Sequence, residues 1–123
     1  MFGDQPINYT LTAATAVSRY HIVQASGAQQ GGLATAVTQA LVGVTQSEAA
    51  AAGDPLTICP LGRSKVVAGA AVTIGARVTT DASGRAIACT SGSVYVGVAI
   101  DAAAAAGDVF EVLVNATNDR MLT

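Results

Sequence analysis

His21, Cys59, Cys89 and eight acidic residues are the groups of this 123-residue chain best suited to bond-making chemistry, and their spacing assembles no reactive centre. A catalytic triad needs a nucleophile, an imidazole base and an orienting carboxylate. His21 is the single histidine and lies in a strand-like stretch, Ser18-Arg19-Tyr20-His21-Ile22-Val23, with no G-x-S-x-G elbow to present a serine to it. A structurally satisfied or exposed imidazole needs no missing partner and is the reading adopted. Cys59 and Cys89 stand far apart in no C-x-x-C arrangement, which supports neither a disulfide framework nor a zinc site. Both are expected to be buried free thiols.

The acids Asp4, Glu48, Asp54, Asp81, Asp101, Asp108, Glu111 and Asp119 mostly sit beside Gly or Ala, where turns and caps account for them. Asp54 and Asp108 occupy equivalent places in a duplication described below and could share a cation, but ordinary turn chemistry explains both without one. Leu61-Gly62-Arg63-Ser64-Lys65 lacks the G-x-x-x-x-G-K-[ST] spacing of a phosphate loop and reads as a linker. Asn115-Ala116-Thr117 fits a glycosylation sequon, which has meaning only in a secretory compartment. No catalytic residue, metal site or cofactor is expected.

Composition narrows the function classes further. Hydrophobic residues make up 51% of the chain, but about a fifth of all residues are Ala, with five aromatics and no Trp, so the core must be thin and aliphatic. Charge is sparse, at 11% and a formal net of -2, and Arg19, Arg63, Lys65, Arg77, Arg85 and Arg120 are scattered. Nucleic-acid binding needs clustered cations that displace counterions from phosphates, so no direct nucleic-acid partner is expected. A weakly charged, apolar-rich surface favours protein contact, because little charge is desolvated when it is covered. The longest apolar run, Val66 to Ile74, is far short of the roughly 20 residues of a membrane span, and no membrane partner is expected. The start, MFGDQPINYT, carries an acid where a secretion signal has its basic region, so use without export is expected.

The strongest local signal is a duplication. Leu41 to Pro55 (LVGVTQSEAAAAGDP) aligns without gaps on Tyr95 to Val109 (YVGVAIDAAAAAGDV), residue 41 opposite 95, an offset of 54. Upstream, Ala16-Val17-Ser18 can be laid on Ala71-Val72-Thr73 and Val23 on Val78, an offset of 55. Two units, roughly 12–61 and 66–115, would pack as halves of one β-barrel or β-sandwich within a single β-rich body, 12–115, since neither is long enough to close a core alone. Period-two alternation places Val72, Ile74, Ala76 and Val78 on one strand face, and Phe110, Val112 and Val114 on another. Asp81-Ala82-Ser83-Gly84 turns the first of these strands into a hairpin with Arg85 to Thr90. Gly43, Gly53, Asp54, Asp81, Gly84, Gly97, Gly107 and Asp108 are assigned to structural turns. The two Ala runs, after Ser47 and Asp101, are expected as short helical turns docked on the sheet. Residues 1–11 read as an extended N-terminal arm with apolar Phe2, Ile7 and Tyr9 and a pairing-breaking Pro6, and 116–123 as a C-terminal tail.

From Val66 to Asn115 the chain resembles the body of the capsid decoration, or head cement, proteins of tailed bacteriophages. The residues that carry the resemblance are Gly69, Val72, Gly75, Val78, Asp81 and Gly84 of a G-A-x-V-x-x-G hairpin pattern, then Gly97-Val98-Ala99, then Gly107, Asp108, Val112 and Val114. Thr10 to Val44 matches more loosely. The resemblance implies a virion protein on the outer capsid surface, commonly a homotrimer at threefold and quasi-threefold positions, whose partner is the major capsid protein and which bridges neighbouring capsid subunits without an active site. Phe2, Pro6, Ile7 and Tyr9 are the expected capsid clasp, since an extended arm can add a strand to a neighbour's sheet edge. Two alternatives stand beside this one. A biotinyl or lipoyl carrier domain, also a small β fold of two similar halves, would be modified at Lys65; a phage tail or head-fibre component would share the structural class and differ in location.

Overall fold

The computed structural model describes residues 7–36, 40–90 and 93–115. Among them the chain forms nine strands and no helix: β1 (Ile7–Ala13), β2 (Ile22–Gly27), β3 (Gln30–Leu33), β4 (Leu41–Thr45), β5 (Pro55–Val67), β6 (Arg77–Thr80), β7 (Ala86–Ala88), β8 (Gly97–Ala99) and β9 (Val109–Asn115). They lie in one sheet of order β1-β3-β2-β4-β5-β9-β8-β6-β7, and an extra β1–β5 pairing closes the first five strands into a barrel. The remaining strands continue from β5 and curl back on it. There the parallel bridge Ala68↔Ala86 brings the first residue of β7 to the residue that follows β5, making a second ring.

β5 is the hinge of this arrangement and corrects the linker expected at Leu61 to Lys65. Those residues lie inside a 13-residue strand. Its first half pairs with β1 and β4, as in Leu56↔Leu11 and Cys59↔Val44, and its second half pairs with β9 from Leu61↔Asn115 to Val67↔Val109. Pro60 looks like a strand breaker, but it falls where the β1–β5 register shifts between Ile7 and Tyr9, a place where a missing N–H removes no ladder bond.

Two further expectations change in detail. The alternation from Val72 to Val78 is not one strand: Val72 makes only an isolated bridge to Ala103, and Ile74 and Gly75 turn the chain, Gly75 with φ +89°, before β6 begins. Ile74 is consequently exposed, not core. The Ala runs are not helical either. Ala49 and Ala103 bridge Val17 and Val72, and the residues that follow fold into tight turns. In the first, Asp54 Oδ2 accepts the N–H groups of Ala50 and Ala51, both at 3.1 Å; in the second, Asp108 Oδ2 accepts those of Ala104 (2.9 Å) and Ala105 (3.1 Å). A carboxylate that satisfies the two N–H groups of so short a segment removes the need for a helical turn, which could not stand alone at that length.

Ladder pairs recur between the two rings. Ala13↔Gly31 reappears as Ala68↔Ala86, Val23↔Leu33 as Val78↔Ala88, Val23↔Gly43 as Val78↔Gly97 and Val44↔Cys59 as Val98↔Leu113. The second half of β5 thus stands where β1 stands in the first ring, β6 and β7 where β2 and β3 stand, and β8 and β9 where β4 and the first half of β5 stand.

The core divides accordingly. Ala13, Val17, Val23, Ala49, Leu56 and Ile58 fill the closed barrel, with Leu11, Leu33 and Val42 against them. Val66, Ala68, Val72, Val78, Val94, Val96, Ala99, Phe110, Val112 and Val114 fill the second ring, and its cluster also takes in Ile22, Ala34, Leu41 and Val44 from the outside of the barrel. These last four residues, with Cys59 paired beside Val44, form the barrel's side of the joint between the rings. Among the described residues every buried side-chain polar atom has a partner. Thr45 is an example, donating to Ser18 O at 2.7 Å while accepting from the His21 N–H at 3.0 Å.

Gly43 and Gly97 lie inside β4 and β8 and not in turns; a Cβ on either would collide with the partner strand's carbonyl, at Cys59 and Leu113 respectively. Gly53 and Gly107 have φ +94° and +93° with open space around them. Two magnitudes follow for chemical denaturation. Gly53→Ala or Gly107→Ala should cost about 1 kcal/mol, the strain of a left-handed residue alone. Gly97→Ala should cost clearly more, because β8 must move off β9, and Phe110→Ala should cost about 3–5 kcal/mol from the cavity it leaves in the second ring.

Candidate functional site

The groups with chemical potential are dispersed and locally satisfied. His21 Nδ1 lies 3.0 Å from the carbonyl oxygen of Arg19, beside the turn at Tyr20, whose φ is +64°. Cys59 is free and buried, its Sγ 3.5 Å from Leu61 O, while Cys89 is free but only half-buried, its Sγ 3.7 Å from both Thr90 O and Ser93 O. Among the described residues no three His, Cys, Asp or Glu side chains group as metal ligands. Asp54 and Asp108 each serve their own turn. Asp81 does the same for the β6–β7 hairpin, accepting from the N–H groups of Ser83 and Arg85 at 2.8 and 2.9 Å and pairing with Arg85 Nε at 3.2 Å. Gly84, at φ +74°, completes that turn and packs against Leu33 and the carbonyl of Ile22, across the joint between the rings.

A shallow open depression of about 220 Å³ lies beside β5 and β9, lined by Tyr20, Gln46, Arg63, Ser64, Lys65 and Glu111. Gln46 Nε2 donates to Ser64 Oγ at 2.8 Å, and Arg63 Nε pairs with Glu111 Oε1 at 3.3 Å. Polar groups here bond to one another, and no base stands over a nucleophile. Lys65 lies within the second half of β5 opposite Glu111 of β9, so it lacks the hairpin tip that a carrier lysine requires.

The surface is instead marked by exposed apolar side chains. On the outer face of the second ring the ladder places Arg77, Val98, Leu113 and Arg63 in one row across β6, β8, β9 and β5. Ile100 follows Val98 beyond the end of β8, and its N–H donates to Glu111 O at 3.1 Å. Val98, Ile100 and Leu113 are 37%, 42% and 51% exposed, and Arg77 lies 5.4 Å from the centroid of the Tyr95 ring beside them. Period-two alternation showed Leu113 facing away from Phe110, Val112 and Val114. It gave no sign that Val98, Ile100 and Leu113 would meet, since that depends on the β8–β9 register. Of the expected clasp, Tyr9 is 59% exposed and its backbone is held in β1 opposite Ile58, and Ile7 begins β1 opposite Leu61. Phe2 and Pro6 lie outside the described residues.

A family model described as "Phage cement protein" matches residues 2–115, nearly the whole chain. The chain belongs to the phage cement protein family. It is a structural component of the capsid exterior. Among solved structures, the protein is similar to the head fiber gp8.5 N base of bacteriophage phi29, at 20% identity and a TM-score of 0.69, over 94% of this chain and 99% of that one. The likeness shows that the two chains share a fold. No curated protein matched the cement protein's sequence.

Burial holds both thiols protonated above the ordinary thiol range. For Cys59 burial outweighs the opposing hydrogen bond to Leu61, and for Cys89 it outweighs the opposing Ser93 hydrogen bond, the Arg77 charge and the Thr90 carbonyl. An acid whose folded value is raised releases its proton first in the unfolded chain, so its contribution to stability is whole below the unfolded value and is lost as pH rises through the folded one. Melting temperature should show no thiol-dependent change between about pH 6 and 8, and should decline above about pH 8.5 less in Cys59→Ala than in the native chain. At neutral pH Cys59 should react with a thiol reagent only on unfolding, and Cys89 more slowly than a free thiol.

Proposed function

We propose that this cement protein is non-enzymatic and works by bridging neighbouring major capsid protein subunits, as a homotrimer, so that separating those subunits must also break cement contacts. The observation that carries the reading is the outward-facing row of Val98 and Leu113 with neighbouring Ile100, on a family member in which Asp54, Asp81 and Asp108 serve turns and Arg63 pairs with Glu111. Several modest contacts held in one oligomer act together, and avidity can exceed single-site binding by about 10²-fold. No contact need be strong.

The body proposed to do this is 12–115, with β1 attached to it, and the segment leading into β1 is proposed as the clasp through Phe2, Pro6 and Ile7. Tyr9 adjoins them, but its backbone belongs to the barrel and its exposed side chain is assigned a separate role below. Deleting residues 1–6 therefore tests the clasp without opening the barrel.

Mixed with purified expanded empty heads, the full chain should co-sediment and leave density over the threefold positions. The variant lacking residues 1–6 should keep its fold and bind at least tenfold more weakly. Unchanged affinity would remove the clasp and leave the bridging role, whereas full-length protein that stays in the supernatant at every concentration would remove both.

A further inference from the structure

The joint between the two rings is an interface with two dissimilar sides. From the closed barrel come Ile22, Ala34, Leu41, Val44 and Cys59, each at most 1% exposed. From the second ring come Ser64, Thr80 and Gly84, tied across the joint by Gln46 Nε2 to Ser64 Oγ (2.8 Å), Thr80 Oγ1 to Ala34 O (3.5 Å) and the Ile22 N–H to Gly84 O (2.7 Å). Because the ladder of the second ring retraces that of the first, each side has a counterpart elsewhere on the molecule. The barrel's side (Ile22, Ala34, Leu41, Val44, Cys59) maps onto Arg77, Cys89, Tyr95, Val98 and Leu113, the exposed outer face of the second ring. The other side (Ser64, Thr80, Gly84) maps onto Tyr9, Ala25 and Gln29, all exposed on the barrel along β1 and the β2–β3 hairpin.

We propose that copies of this chain associate head to tail through these two surfaces, the outer face of the second ring in one copy seating on the Tyr9 end of the barrel in the next, in the geometry of the internal joint. Two observations name a second copy as the occupant. The first is exposure: Val44 and Cys59, fully covered in the internal joint at 0%, have the open apolar counterparts Val98 at 37% and Leu113 at 51%, while Arg77 is exposed and Cys89 and Tyr95 are half-buried beside them.

The second is a matched change of character at positions that would meet. Gln46 and Ser64, a polar pair inside the chain, correspond to Ile100 and Tyr9, both apolar and both exposed (42% and 59%). Ile22 and Gly84 correspond to Arg77 and Gln29, a cation and an amide, and Gln29 holds the same left-handed backbone as Gly84, φ +60° against +74°. Each pair changes on both sides at once, as complementary surfaces must. A joint with dissimilar sides closes into a ring or runs on as a filament. On the trimer reading above, on which only the copy number rests, three chains place six rings, three of each kind, around one axis.

The test uses cysteine pairs in the full chain with Cys89→Ser as background; Cys59 is buried. Tyr9→Cys and Ile100→Cys are made separately and together. Under mild oxidation the double variant should form covalent oligomers beyond the dimer, an equal mixture of the two single variants should form one covalent dimer, and each single variant alone should stay monomeric on a denaturing gel. In parallel, Val98→Glu with Leu113→Glu should reduce the solution mass by light scattering about threefold, to a single chain of 12.1 kDa, with an unchanged circular dichroism spectrum. A wild-type chain that is monomeric at all concentrations, an oligomer that never cross-links in the mixture, or a dimer from Ile100→Cys alone would overturn the proposal. Head binding is scored separately: binding without the cross-link removes the joint and leaves the cement role, and the cross-link without binding does the reverse.

Discussion

β5 makes hydrogen bonds to β1 and β4 over its first half and to β9 over its second, and the rest of the molecule is arranged by that one strand. In the barrel it supplies Leu56 and Ile58 to the core; past Pro60 the same backbone supplies Val66 to the second ring. A continuous strand fixes the register of both rings relative to each other, because sliding one by a single residue would turn Leu56 or Val66 out of its core. Ile22, Ala34, Leu41 and Val44 then have no position except against the second ring, and they supply the apolar area that a thin core of Val and Ala would otherwise lack.

That economy also accounts for the composition. A barrel of five strands has little interior, so Ala, Val, Leu and Ile fill it without an aromatic, and Gly43 and Gly97 let β4 and β8 approach their neighbours where any side chain would collide. Among the described residues Asp54, Asp81 and Asp108 sit at turns, and Arg63 with Glu111 forms an exposed pair of the kind worth at most about 1 kcal/mol. The face left over is apolar but lightly charged, a surface that can be covered by another protein at small desolvation cost. For a capsid component whose task is adhesion, these are one solution to two requirements: stability from a small core and an outer surface ready to be buried.

Much of this was legible in the residues, for identifiable reasons. Val109 to Asn115 alternates cleanly because one face meets the core, and the Asp81 to Gly84 turn is written in side chains that bond their own backbone. Matching offsets of 54 and 55 around VGV and Gly-Asp were visible because both are backbone requirements. The strand status of Leu61 to Lys65 was hidden by Pro60 and Gly62, since local breakers outweigh a pairing that comes from distant β1 and β9. Ile74 was misplaced on a core face because alternation cannot reveal that Gly75 takes a positive φ and ends the run. The outer face made by Val98, Ile100 and Leu113 depends on cross-strand register alone, which no single segment encodes.

The central claim is that covering this surface strengthens a phage head. Its most direct measurement is the temperature at which DNA-filled heads release their genome, followed with an intercalating dye, with and without saturating cement protein. Saturation should raise that temperature, and Val98→Glu with Leu113→Glu should abolish or sharply reduce the rise. A release temperature that does not move when the protein is bound at full occupancy would contradict it.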